Sequence, residues 1–203
     1  LYQPYQLGKL DEYALFAPVT FDYSDEESYI SLPYTKKEVL AIDSVTKKET
    51  TKVSLFIEGE VSKQSITTCN ADVIHLATHG LIDQKNPELS KLCLSPNPEG
   101  GFLYNNEIYD LKISAELVTM SACETGLGKL SKGEGVIGLT RAWVYAGTEN
   151  LIVSYWAVND AASSTLMTNF YSNVSNKKTF SVSLQKAKLD VLQNEETQSP
   201  YFW

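Results

Sequence analysis

Short runs of consecutive apolar residues alternate along this chain with segments whose apolar positions recur every three or four residues. Ala14 to Val19 (ALFAPV) reads as a first strand. Val39, Leu40 and Ile42 lie at helical spacing within Thr35 to Ser44, with a Thr cap. Val53 to Ile57 predicts a strand, Glu60 to Thr68 a weak helix, and Val73 to Thr78 (VIHLAT) another strand. Leu89 to Asp110 holds Pro96, Pro98, Gly100 and Gly101, and reads as a loop or small hairpin followed by a short helix. Leu117 to Ala122 (LVTMSA) predicts a buried strand, and Gly133 to Ala146 an amphipathic helix through Val136, Leu139, Trp143 and Ala146. Gly147 suits the left-handed position that closes such a helix. Leu151 to Trp156 is a further strand, and Asp160 to Val174 and Thr179 to Leu192 are two last helices.

Each strand is nearly all apolar rather than alternating, and most are bounded by helices. That pattern predicts an α/β three-layer sandwich, with a mostly parallel central sheet flanked by helices. At 203 residues the chain can bury a full core as one domain, residues 1–203. No apolar run approaches the roughly 18 residues of a membrane span, and no signal-peptide pattern opens the chain. It starts without Met, so a fragment or processed piece of a longer protein is expected.

Charge and cysteines narrow the partners. A formal net charge of −8 argues against nucleic acid, and Lys36-Lys37, Lys47-Lys48 and Lys177-Lys178 read as solvated surface. Cys69, Cys93 and Cys123 form no CxxC pair, which fits a reducing cytoplasm better than a disulfide-held secreted fold.

In open parallel sheets reactive groups collect beyond the carboxyl ends of strands. Three such ends stand out: VIHLAT runs into His79-Gly80, LVTMSA into Cys123-Glu124, and LIVSYW towards Asn159-Asp160. The interval between His79 and Cys123 leaves room for one crossover and an insertion, so their strands can be neighbours. A cysteine thiolate is intrinsically nucleophilic, and a nearby imidazole can take its proton and return it to a leaving amine. The amides of Gly80 and Cys123 suit an oxyanion. Glycines 126, 128, 133 and 135 make the following loop pliable enough to wall a substrate groove. His75, in the middle of an apolar run, reads as a satisfied core residue, and Cys69 and Cys93 as structural.

The segments VIHLATHG, VTMSACETGLG, GEGVIGLTRAWVYAG and SYWAVND resemble the CHAT family, bacterial relatives of caspases and separases. The likeness extends through LPYTKKEVLAI and GGFLYNNEIYDL to the final SPYFW, so it covers nearly the whole chain. It implies a caspase-like fold and proteolysis by a Cys-His dyad of His79 and Cys123, needing no cofactor and no metal. Asp160 resembles an acid that, in this family and in separases, stands near the pocket and can recognise a basic residue before the cut bond. The same Asp160 could instead cap the helix beginning at Ala161. The family also implies control by a sensor or repeat domain in the same chain or a partner protein. Bacterial immunity, cell death and, for some members, work alongside CRISPR effectors are the implied settings. A further expectation is that such a partner orders the loop from Glu124 to Gly135.

Two other classes remain to be weighed. Gly133 to Gly138 spells GxGxxG, but a dinucleotide fold places those glycines directly after a strand, and here Cys123 to Lys132 intervenes. His75 and His79 have HxxxH spacing without a glutamate between them, which does not make a zinc peptidase. A catalytically silent interaction module of the same fold is the remaining alternative.

Overall fold

The computed structural model describes residues 8–23, 28–83, 85–97, 101–121, 123–124, 134–154, 156, 158–199 and 202, with the backbone alone at 123–124 and 134–137. Its strands are β1 (Glu12–Ala17), β2 (Phe21–Asp22), β3 (Ser28–Tyr29), β4 (Lys52–Ile57), β5 (Val73–Leu76), β6 (His79–Leu81), β7 (Lys91–Cys93), β8 (Phe102–Tyr104), β9 (Leu117–Met120), β10 (Cys123–Glu124) and β11 (Asn150–Val153). Its α-helices are α1 (Pro33–Thr46), α2 (Lys63–Thr67), α3 (Asn105–Tyr109), α4 (Glu134–Tyr145), α5 (Asp160–Ser175) and α6 (Phe180–Leu192).

Five strands pair in the order β11-β9-β5-β1-β4, all parallel. Successive residues of β1 point to opposite faces, and both faces are covered. Tyr13, Leu15 and Ala17 pack with Val39 and Ile42 of α1, Phe170 of α5 and Ala187 of α6. Ala14 and Phe16 pack with Ile66 of α2, Ile108 of α3 and Trp143 of α4. This is the three-layer α/β sandwich that the apolar runs predict, flanked on both sides because each strand must bury both faces.

A second sheet, ordered β10-β6-β7-β8, continues beyond the carboxyl ends of β5 and β9. β6 and β10 run parallel, while β6–β7 and β7–β8 are antiparallel, so the expected hairpin is present and α3 follows it. The strand expected to run from Val73 to Thr78 ends at Leu76, and His79 begins a strand in this second sheet. A third ladder pairs β2 with β3, antiparallel.

One helix start differs from expectation. α1 begins at Pro33 with Leu32 as its N-cap and no side-chain cap, because proline at the first helical position needs no N–H partner. Thr35 is no cap; its hydroxyl donates to the Leu32 carbonyl at 2.6 Å. α4 ends as expected: Gly147 has φ +114, and a Cβ there would run into the Ile113 carbonyl oxygen. Among the described residues, no helix is long and apolar enough to cross a membrane.

Candidate active site

β6 places His79, and the pairing of β6 with β10 places Cys123. The two residues are direct register partners in a parallel ladder, followed by Glu124 opposite Gly80. Neighbouring strands lie about 4.8 Å apart, so the backbone alone sets the two candidates side by side on one face of the second sheet. β6 is an inner strand: Gly80 is flanked by Glu124 on one side and by Leu92 of β7 on the other.

The His79 ring is fully buried. It rests against Phe21, ring centroids 4.5 Å apart, and Tyr29, at 6.1 Å, both from the β2–β3 hairpin. Its Nε2 lies 2.6 Å from the Ile30 carbonyl oxygen. A carbonyl only accepts, so Nε2 carries the proton and donates, leaving the lone pair on Nδ1. Nδ1 is buried and has no hydrogen-bond partner among the described residues. Buried polar atoms are nearly always paired, so an open nitrogen calls for an explanation in terms of function. Burial pushes the His79 pKa below its ordinary 6.5, against the upward pull of the Ile30 carbonyl. At neutral pH this is an uncharged imidazole with an open lone pair, which is a base ready to accept a proton.

The hairpin that walls His79 starts from an unusual turn. Thr20 donates its N–H to the Pro18 carbonyl at 2.7 Å, and Val19 between them has φ +66. A β-branched residue at positive φ is strained, on the order of 1–3 kcal/mol, and such strain clusters at functional sites.

Asp160 is the first residue of α5, and it does not cap that helix. Asn159 does, its Oδ1 accepting the Ala162 N–H at 3.1 Å. Asp160 turns instead to α1, where its Oδ2 accepts the Tyr34 N–H at 3.0 Å. Burial raises its carboxyl above the ordinary 3.8, opposed by the Tyr34 amide, while Glu38 adds to the rise and Lys37 counters it. The third strand end therefore meets the first two indirectly, through the segment from Ile30 to Tyr34.

The remaining sequence candidates divide clearly. His75 is the satisfied core residue expected: Nε2 lies 2.7 Å from Glu38 Oε1, and Nδ1 lies 3.2 Å from the Tyr171 hydroxyl. Burial pushes the Cys69 thiol up to about 11, the reverse of what a nucleophile needs, and Cys93 is buried. Gly138 lies inside α4, which begins well past β9, so the GxGxxG string forms no strand-to-helix turn. Among the described residues, no cluster of His, Cys, Asp and Glu could hold a metal. Of the loop from Glu124 to Gly135, residues 125–133 lie outside the described residues. Sequence reasoning passed over Phe21, Tyr29 and the Ile30 carbonyl. The aromatics flanking the polar Ser24 to Glu27 stretch were the only trace of that hairpin.

The family model of the CHAT domain matches residues 12–203. Tetratricopeptide repeat protein 28 of Mus musculus is 32% identical over 97 residues, which is 48% of this chain and 4% of that protein. Its Homo sapiens namesake matches with the same figures. This chain thus spans a small fraction of the curated relatives it matches. Among solved structures, the pyridoxal kinase from Staphylococcus aureus in complex with AMP-PCP and pyridoxal aligns with a TM-score of 0.38 and 13% identity, over 92% of this chain and 89% of that chain. The same kinase in complex with AMP-PCP aligns with a TM-score of 0.35 and 13% identity, over 89% and 86%. Likenesses at that level carry no argument about function.

Proposed function

Because this chain belongs to the CHAT domain family, which is related to caspase-like peptidases, we propose that it is a cysteine endopeptidase with Cys123 as nucleophile and His79 as base. The observation that carries the reading is the register of Cys123 opposite His79, beside an imidazole nitrogen that no described residue engages.

The Cys123 thiol gives its proton to His79 Nδ1, and the sulfur bonds to the scissile carbonyl carbon, moving the π pair onto oxygen. Collapse of that adduct breaks the C–N bond, and the amine leaves with the proton from Nδ1. Water then attacks the thioester, His79 takes a water proton, and the Cys123 thiolate leaves and is reprotonated. The Ile30 carbonyl holds Nε2–H throughout and favours the imidazolium that forms between steps. The amides of Gly80 and Cys123 hold the oxyanion. No cofactor enters.

Asp160 belongs to the recognition side. One carboxylate oxygen is taken by Tyr34, and the other can receive the guanidinium or ammonium of an Arg or Lys before the cut bond. A sensor or repeat domain, in the same chain or a partner, controls the activity within a bacterial defence or cell-death system. The repeat-protein name of the matched relatives, 4% of whose length is aligned, supports such a larger setting.

The test compares the wild-type chain with Cys123→Ala on fluorogenic peptides carrying Arg, Lys, Asp, Leu or Met before the scissile bond. Cleavage confined to the wild type, strongest after Arg or Lys, is expected. Equal cleavage by both chains, or none even within a triggered full-length protein, would leave the silent interaction module as the function.

A further inference from the structure

The segment from Ile30 to Tyr34 carries the carbonyl that orients His79, yet little of its own packing holds it. Ile30 is 81% exposed, and Ser31, Pro33 and Tyr34 are exposed as well. What fixes the segment is hydrogen bonding at two points. The Leu32 N–H donates to the carbonyl of strained Val19 at 2.9 Å, and the Tyr34 N–H donates to Asp160 at 3.0 Å. α1 has neither a capping side chain nor an acid in its first turn. The exposed amide in that turn and the positive end of the helix dipole are met by a carboxylate from α5, a cap supplied from another element. Holding a half-buried carboxylate there is unfavourable by itself, as its raised pKa reflects, so the position needs a return.

We propose that Asp160 is a positioning residue for the catalytic base. By capping α1 from α5 it holds the strap of residues 30–34, and the strap's Ile30 carbonyl then keeps the proton of His79 on Nε2 and the lone pair on Nδ1. The same residue therefore ties substrate recognition to the state of the base. The catalytic meaning of that orientation rests on the peptidase reading; the orientation itself does not.

The test is long-range proton–nitrogen NMR of the ¹⁵N-labelled chain, which reports where the imidazole proton sits. The chain has two histidines, so the His79 signals are those that vanish in His79→Ala. In wild type at neutral pH they should show one fixed tautomer, protonated at Nε2. Asp160→Asn keeps an oxygen acceptor for Tyr34 and should keep that signature. Asp160→Ala should replace it with averaged shifts of exchanging tautomers while the amide spectrum stays folded. Asp160→Ser, at home in a first helical turn and too short to reach Tyr34, makes the same comparison if the alanine variant does not fold. A fixed signature in the folded alanine or serine variant would overturn the proposal, because a merely helix-stabilising aspartate leaves His79 unmoved. Averaging in Asp160→Asn would overturn it too, since the hydrogen bond would then not be what acts. In cleavage assays Asp160→Ala should slow apolar reporters by up to about 100-fold and basic ones by at least as much, whereas a residue that only recognises substrate leaves the apolar ones unchanged. A chain that cleaves nothing even within the triggered full-length protein, but shows the predicted signatures, would refute the peptidase and leave the positioning role standing.

Discussion

Four positions apart, His75 and His79 are both completely buried, and they live in opposite chemical circumstances. His75 lies in the middle of β5, facing α1 and α5. Both of its nitrogens are engaged, one by Glu38 and one by the Tyr171 hydroxyl, which itself donates to Thr119 at 3.0 Å. His79 lies one sheet further on, with one nitrogen held by a backbone carbonyl and the other without a partner among the described residues. Burial therefore does not distinguish a structural histidine from a reactive one; the completeness of its hydrogen bonding does. The first kind of site spends all its polar capacity on the fold, and the second keeps one atom in reserve.

Removing the reserved atom should have the larger consequence. His79→Gln keeps a side chain that can still donate to the Ile30 carbonyl but supplies no comparable base. Peptide cleavage should fall by about 10²–10⁴-fold, while the urea midpoint moves far less than in any variant of His75. Retained cleavage would remove the distinction between the two residues.

His75→Leu tests the other side. It leaves Glu38 buried without its partner, and unfolding stability in urea should drop by about 3–5 kcal/mol. Glu38→Leu added to His75→Leu should recover most of that, because no buried carboxylate then lacks a donor. A double variant as unstable as the sum of the singles would mean that packing, not the pair, is what His75 contributes.

The smallest effect sharpens the contrast through pH. His79 has a folded pKa below its ordinary 6.5, so between those two values the unfolded chain binds the extra proton. Its contribution to stability is therefore present above pH 6.5 and is lost as the pH falls through the folded pKa. Asp160 runs the other way: raised above 3.8, it contributes below that pH and loses the contribution as pH rises through its folded pKa. Stability measured against pH should lose its slope just below 6.5 in His79→Gln but not in wild type.

Much of this was legible in the chain. The nearly all-apolar runs of β5, β9 and β11 announced a sheet covered on both faces, and the residues beyond them announced where chemistry would collect. What could not be read follows from the physics of short elements. β2, β3 and β10 are two residues each, too short for any periodicity to register. Ile30 acts through its carbonyl, and every residue carries one, so no side-chain pattern marks it. Asn159 and Asp160 are adjacent and both favoured as caps, so composition alone could not assign the helix they serve. Thr35 misled for a similar reason, since Pro33 had already begun the helix without needing a hydroxyl.

The strand order β11-β9-β5-β1-β4 also has a kinetic meaning. Of these five strands β1 is made first and stands inside the sheet; β4 adds to one side of it and β5 to the other. β9 then joins β5, and β11 joins β9. Each parallel strand thus leaves the ribosome to find its neighbour already present as a free edge, so the loop closures that slow parallel sheets are met one at a time. α5, with Asp160 at its head, emerges after all the described strands, so a nascent chain cut short before it would hold both His79 and Cys123 without the carboxylate that tethers the strap.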